Sequence, residues 1–188
     1  MARPRQSENA ITARERIEEA FWRLLASNDY NKISIKMLAA EAKVNHHSIY
    51  YHYKNIDEIA KSAFDSVIIH DLRPIMAGSI KELCSVFLTT QSDYQSRFGR
   101  IRLFASSGSD YLQSLLKTGL MDVWLSQAGK CLENLSLKDQ LELDFIFSGI
   151  VAMLGRGDEE MSKEEWVNLF NGKLFQTLFY EMQRIVLE

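Results

Sequence analysis

At 188 residues the chain can bury a true core, and a balance of 46% hydrophobic and 25% charged side chains excludes intrinsic disorder and fibrous repeats. No run of about 18 uncharged apolar residues occurs, and the opening Met1-Ala-Arg-Pro-Arg-Gln leads into polar residues rather than an apolar signal segment, so a cytoplasmic protein without membrane contact is expected. The formal charge of −3 is uneven, with ten Lys or Arg against eight acids up to Lys61 and twelve against seventeen beyond it, so only the N-terminal end suits a polyanion.

Residues 1 to about 10 read as a flexible basic arm. Thr12-Ala-Arg-Glu15 is a capping box, in which hydroxyl and carboxylate satisfy amide donors of a first helical turn. Ile17, Ala20, Phe21, Leu24 and Leu25 follow at helical spacing as one apolar stripe, and Asn28-Asp29-Tyr30-Asn31 ends that helix. Ser34 suits the N-cap of a short second helix that turns Ile35, Leu38, Ala39 and Ala42 inward. Lys43-Val44-Asn45 is a tight connection, and Asn45 caps a third helix from His46 to about Tyr53, with Ile49 and Tyr53 inward at i, i+4. Asn55-Ile56-Asp57-Glu58 is a further capping box, opening a fourth helix that is predicted to end near Leu72, ahead of Pro74.

Five more helices are predicted, at about 76–90, 94–105, 110–133, 137–154 and 163–187, with no competing strand pattern, so the fold class is all-α with about nine helices. Ser136 and Ser162 cap the last two, and Gly155-Arg156-Gly157-Asp158 joins them as an antiparallel hairpin. Both are apolar over more than one face, so each needs a second partner. The same hairpin of another subunit supplies one, as a two-fold four-helix bundle with Phe145, Ile146, Ile150, Met153, Leu169, Phe170, Leu174 and Leu178 at the homodimer interface; burial within the monomer is the alternative. Cys84 and Cys131 match no metal-ligand spacing and are expected to be buried reduced thiols, with a redox pair as the alternative.

Two short helices joined by a tight turn, the second exposing polar and aromatic side chains, describe a helix-turn-helix, whose second helix enters the major groove. The stretch from Ser34 to Asn55 resembles the TetR-family signature: a Ser start, Leu38-Ala39 and Ala42, Val44, then Ile49-Tyr50, His52 and Tyr53. It departs from that signature at Lys43, where the family usually has Gly, and at Ile56, where it usually has Lys; Lys54 can substitute for the latter. The resemblance implies a DNA-binding domain over residues 1–55 and an effector-binding and dimerisation domain over 56–188. It implies that Ser34, Lys36, Tyr50, Tyr51 and Lys54 hold phosphates while Asn45, His46, His47 and Ser48 face base edges. His52 fits a DNA contact and a structural hydrogen bond equally, and Tyr53 reads as core.

The function so implied is a ligand-responsive regulator, a repressor, binding a palindromic operator in double-stranded DNA as a homodimer; the alternative is a TetR-like co-activator working through protein contacts. The resemblance also implies a small-molecule effector in the central region, where Phe64, Phe87, Phe104, Tyr111 and Trp124 are candidate lining residues. No catalytic motif, cofactor or metal is expected, because adjacent His46 and His47 diverge by about 100° on a helix and His47 and His52 miss the i, i+4 spacing of a chelating pair.

Overall fold

The computed structural model describes residues 12–76, 97–156 and 162–187, and every regular element among them is helical. The basic arm, nearly all of the helix expected at 76–90, Cys84, Phe87 and the Gly157-Asp158 end of the hairpin turn lie outside those residues. The described residues form two compact units, the first ending at Ala63 and the second beginning at Phe64.

In the first unit, Thr12 Oγ1 accepts from the Glu15 amide at 3.2 Å and the Glu15 carboxylate accepts from the Thr12 amide at 2.7 Å. That reciprocal box starts α1 (Ala13–Leu25), and the Thr12 amide, then its hydroxyl, hold the Glu15 carboxyl below its ordinary range. The helix buries Ile17, Ala20, Phe21 and Leu25 as predicted, and also Trp22, which lies off the predicted stripe. Both Phe21 and Trp22 go inside, although neighbours on a helix diverge by about 100°, because α1 packs against both α2 (Ile35–Ala42) and α3 (His46–His52). A single 3-10 turn, Tyr30–Lys32, follows α1 and sets the Tyr30 ring edge-on to Phe21 at 6.4 Å.

The turn between α2 and α3 closes as a Schellman motif. The Val44 amide donates to the Ala39 carbonyl at 3.0 Å and the Lys43 amide to the Ala40 carbonyl at 3.2 Å. That pairing requires a left-handed residue at position 43, and Lys43 adopts φ 53°, the only positive φ outside glycine among the described residues. Gly129 plays the same part after the helix Asp110–Ser126 at φ 66°, with no Cβ to strain. A side chain in this region costs about 1 kcal/mol, so Lys43→Gly is expected to raise stability by up to that amount. Denaturant titration checks it: the midpoint should rise with no change in slope, and an unchanged or lower midpoint would contradict the strain.

Helix α4 (Ile56–Met76) runs past the end predicted at Leu72 and through Pro74. Asn55 caps the start of α4 as predicted, Oδ1 accepting from the Glu58 amide at 2.8 Å, but the return bond of the box is displaced by one residue, the Glu58 carboxylate accepting from the Lys54 amide at 2.7 Å rather than from that of Asn55. The opening turns bury Ile59, Ala60 and Ala63 in the first unit, so the division between the two compact units falls inside α4.

The second unit contains α5 (Arg97–Ser106), α6 (Asp110–Ser126), α7 (Leu137–Arg156), α8 (Lys163–Asn171) and α9 (Lys173–Leu187). Helices α5, α6 and α7 pack on one another over Ile101, Phe104, Leu112, Leu116, Leu143 and Phe147. The helix expected over 110–133 ends at Ser126, and a 3-10 turn follows at Leu132–Asn134. Cys131, at the cap of that turn, is therefore exposed rather than buried. The helix expected over 163–187 is two, because Gly172 takes an extended ψ of 152° while its amide closes α8 on the Leu169 carbonyl at 3.0 Å. The carbonyls of the last turns of α9 are taken by residues from the end of α6 and just beyond it, Met182 by the Trp124 indole at 3.3 Å and Ile185 by Lys130 Nζ at 2.9 Å. Arg184 ties the same helix to α7 through Glu142 at 2.8 Å and Asp139 at 3.2 Å.

A candidate nucleic-acid interface

Helix α3 is two turns long and its inward side is Ile49, fully buried, followed by Tyr53 at the C-cap, 5% exposed. With those two positions spent on the core, Asn45, His46, His47, Tyr50, Tyr51 and His52 face solvent, and Tyr51 is 85% exposed. Ser48 is half-buried. The outward set offers hydrogen-bond donors and acceptors with almost no formal charge, the chemistry suited to base edges.

Two predicted contact residues are also structural. Asn45 Oδ1 accepts from the His47 amide at 2.9 Å, which leaves its NH2 as the group that can point at a base. Ser34 Oγ accepts from the Met37 amide at 3.3 Å, so its O–H is the donor available to a phosphate. Lys36 is exposed, and Lys54 is 89% exposed with Nζ 3.6 Å from Glu58. The His46 ring stands edge-on to Tyr50 at 5.1 Å and the His52 ring edge-on to Tyr51 at 5.0 Å, so α3 presents two aromatic pairs rather than four separate rings. Among the described residues no group of three His, Cys, Asp or Glu side chains is placed to hold a metal ion.

Tyr53 turns its hydroxyl away from this surface, donating to Glu18 at 2.7 Å. Burial pushes its hydroxyl up in pKa, Ser62 opposes this, and the Glu18 bond adds to the rise. Arg14, Glu18 and Ser62 escape a reading by stripes and motifs, because each sits at a polar position of an amphipathic helix.

The family model "Bacterial regulatory proteins, tetR family" matches residues 17–63, from the middle of α1 into α4. The chain carries a TetR-family regulatory domain. The matched residues take in the whole of the α2-turn-α3 segment. No curated protein matches the chain. A solved structure similar in fold is the TetR family repressor AlkX from Dietzia sp. strain DQ12-45-1b, implicated in biodegradation of n-alkanes, with TM-score 0.50 and 16% identity over 93% of this chain and 97% of that one. No helix among the described residues is long and apolar enough to cross a membrane.

Beyond the TetR-family domain, the residues expected at a dimer interface divide in two. Phe145 is 75% and Leu174 67% exposed, and Ile150, Met153, Leu169 and Leu178 are half-buried, whereas Ile146 and Phe170 are buried inside the subunit. Leu137 and Leu141, not assigned to that interface from sequence, extend the Phe145 row at i, i+4, i+8 and are equally exposed. The candidate effector residues also separate. Phe64 and Phe104 stack at 5.2 Å, and Phe64 lies where a side chain on Gly119 would collide with it, at 2.5 Å. Trp124 instead packs on Phe179 at 5.9 Å, while Tyr111 lies exposed, about 20 Å away along α6 by the helical rise.

Proposed function

We propose that the protein is a homodimeric, ligand-responsive repressor that reads a palindromic operator with two copies of α3. The observation that carries this reading is the outward face of α3: uncharged hydrogen-bonding side chains project from a short helix seated on a three-helix core, flanked by Ser34, Lys36, Tyr50, Tyr51 and Lys54 as phosphate contacts. Asn45, His46, His47 and Ser48 are assigned to base edges, and His52 joins them because its ring is exposed beside Tyr51. The exposed row Leu137, Leu141 and Phe145, with Leu174, supports pairing of subunits, since isolated monomers seldom leave such rows in water.

A small-molecule effector is assigned to the second unit near the Phe64 and Phe104 stack. Helix α4 begins in the first unit and ends in the second, so an effector that reseats it alters the separation of the two α3 helices. That separation must match one turn of duplex, about 34 Å.

Selection of bound fragments from random-sequence DNA tests the reading. An inverted repeat with half-sites centred about 10 base pairs apart, or a multiple of that spacing, is expected. Recovery of no sequence, or of a single unrepeated half-site, would overturn it.

A further inference from the structure

We propose that Glu18 is a positioning residue for DNA reading, holding the C-terminal end of α3 in register through Tyr53. This rests on the assignment of α3 as the DNA-reading helix.

One carboxylate oxygen of Glu18 accepts from three donors: the Tyr53 hydroxyl at 2.7 Å, the Ser62 hydroxyl at 2.7 Å and Arg14 Nε at 3.1 Å. Arg14 also donates to Ser62 Oγ at 2.6 Å, and its guanidinium lies 5.9 Å over the Tyr53 ring. The cluster joins residues 35 and 44 positions apart, bringing α1, the cap of α3 and the second turn of α4 onto a single atom. The Glu18 side chain is 15% exposed, so little water competes for these bonds.

The arrangement matters because α3 has little else to hold it. Seven residues give a helix one fully buried anchor, Ile49. Tyr53 supplies a second anchor one turn later, where the backbone has already become extended at φ −143° and ψ 138°. A phenyl ring would fill the same space, and the hydroxyl adds direction, because it must find an acceptor and Glu18 offers one. Tyr50, Tyr51 and Lys54 neighbour Tyr53 in the chain, so a shift of the Tyr53 ring carries the proposed phosphate contacts with it. A displacement near 1 Å is enough to spoil paired hydrogen bonds in a groove.

The test uses the full-length protein, the tightest duplex recovered by selection, and a random-sequence duplex of equal length. Wild type, Glu18→Gln, Tyr53→Phe and the double variant are compared at a temperature where circular dichroism shows each fully folded. Each single variant is expected to lose about tenfold in affinity for the selected duplex and less than twofold for the random one. The double variant is expected to lose no more than the worse single, since both act on the same bond, Glu18→Gln by exchanging the carboxylate for a weaker neutral acceptor and Tyr53→Phe by removing the donor. Tyr53→Phe keeps the packed ring, so the comparison survives should Glu18→Gln fold poorly. Variants that melt earlier yet bind the selected duplex as wild type does would show a purely structural role and overturn the proposal, while a wild type that prefers no duplex would instead overturn the assignment of α3.

Discussion

Replacing Tyr50 and Lys54 together by alanine is expected to weaken operator binding about 1,000-fold while leaving the protein folded. Both side chains project from the surface, Tyr50 at 52% and the Lys54 side chain at 89% exposure, so neither supports the core. A homodimer presents each of them twice, and four phosphate contacts at about 1 kcal/mol net apiece amount to about 4 kcal/mol, roughly three powers of ten. Lys54 is held by Glu58 at 3.6 Å on the free protein, but an exposed pair of that kind contributes little, so the ammonium can swing to a phosphate at small cost.

The two residues are separable by salt. Lys54 releases a counterion from DNA when it binds, so Lys54→Ala alone should flatten the slope of log affinity against log salt by about 2 for the dimer. Tyr50→Phe removes a hydroxyl and no charge, so affinity should fall with the slope unchanged. Anisotropy titrations at several salt concentrations measure both quantities. Equal affinity of wild type and the double alanine variant would place the DNA contact elsewhere, and would favour a co-activator working through protein surfaces.

The first unit was largely legible in the amino-acid sequence because its signals are local. Thr12, Ser34 and Asn45 cap helices within three residues of themselves, and Ile49 with Tyr53 are found by spacing alone. What escaped depends on distant parts of the chain. Trp22 is buried because α1 has two neighbours, and no periodicity within α1 reveals how many helices surround it. The Glu18 cluster was invisible for the same reason, since positions 14, 18 and 62 are each polar and ordinary in their own helices, and spacing marks Tyr53 as core without saying where its hydroxyl goes. Boundaries in the second unit failed where backbone geometry outweighs composition. Gly172 interrupts an apolar run that reads as one helix, and helix α6 stops before an apolar residue, Cys131, that the pattern would carry on into. The division of the hairpin's apolar residues into inner and outer sets was likewise hidden: Phe145 and Ile146 are adjacent, equally hydrophobic, and 75% and 6% exposed.

That last contrast makes the subunit interface testable with one pair of substitutions. Phe145→Glu is expected to leave the subunit folded and to convert the dimer to monomer. The row formed with Leu137 and Leu141 faces water in a single subunit, so a carboxylate there is fully hydrated. In the proposed dimer the same carboxylate would instead enter an apolar surround, where an unpaired buried charge costs several kcal/mol. Ile146→Glu places the charge inside the subunit instead, and should destroy the fold. Sedimentation separates the outcomes: a monomer with full helical content for Phe145→Glu, and loss of helical content for Ile146→Glu. Because a monomer covers one half-site, operator affinity of Phe145→Glu should also fall, by at least about 100-fold. A Phe145→Glu protein that sediments as wild type does would mean the subunits meet through another face, and the row on α7 would then need a different occupant.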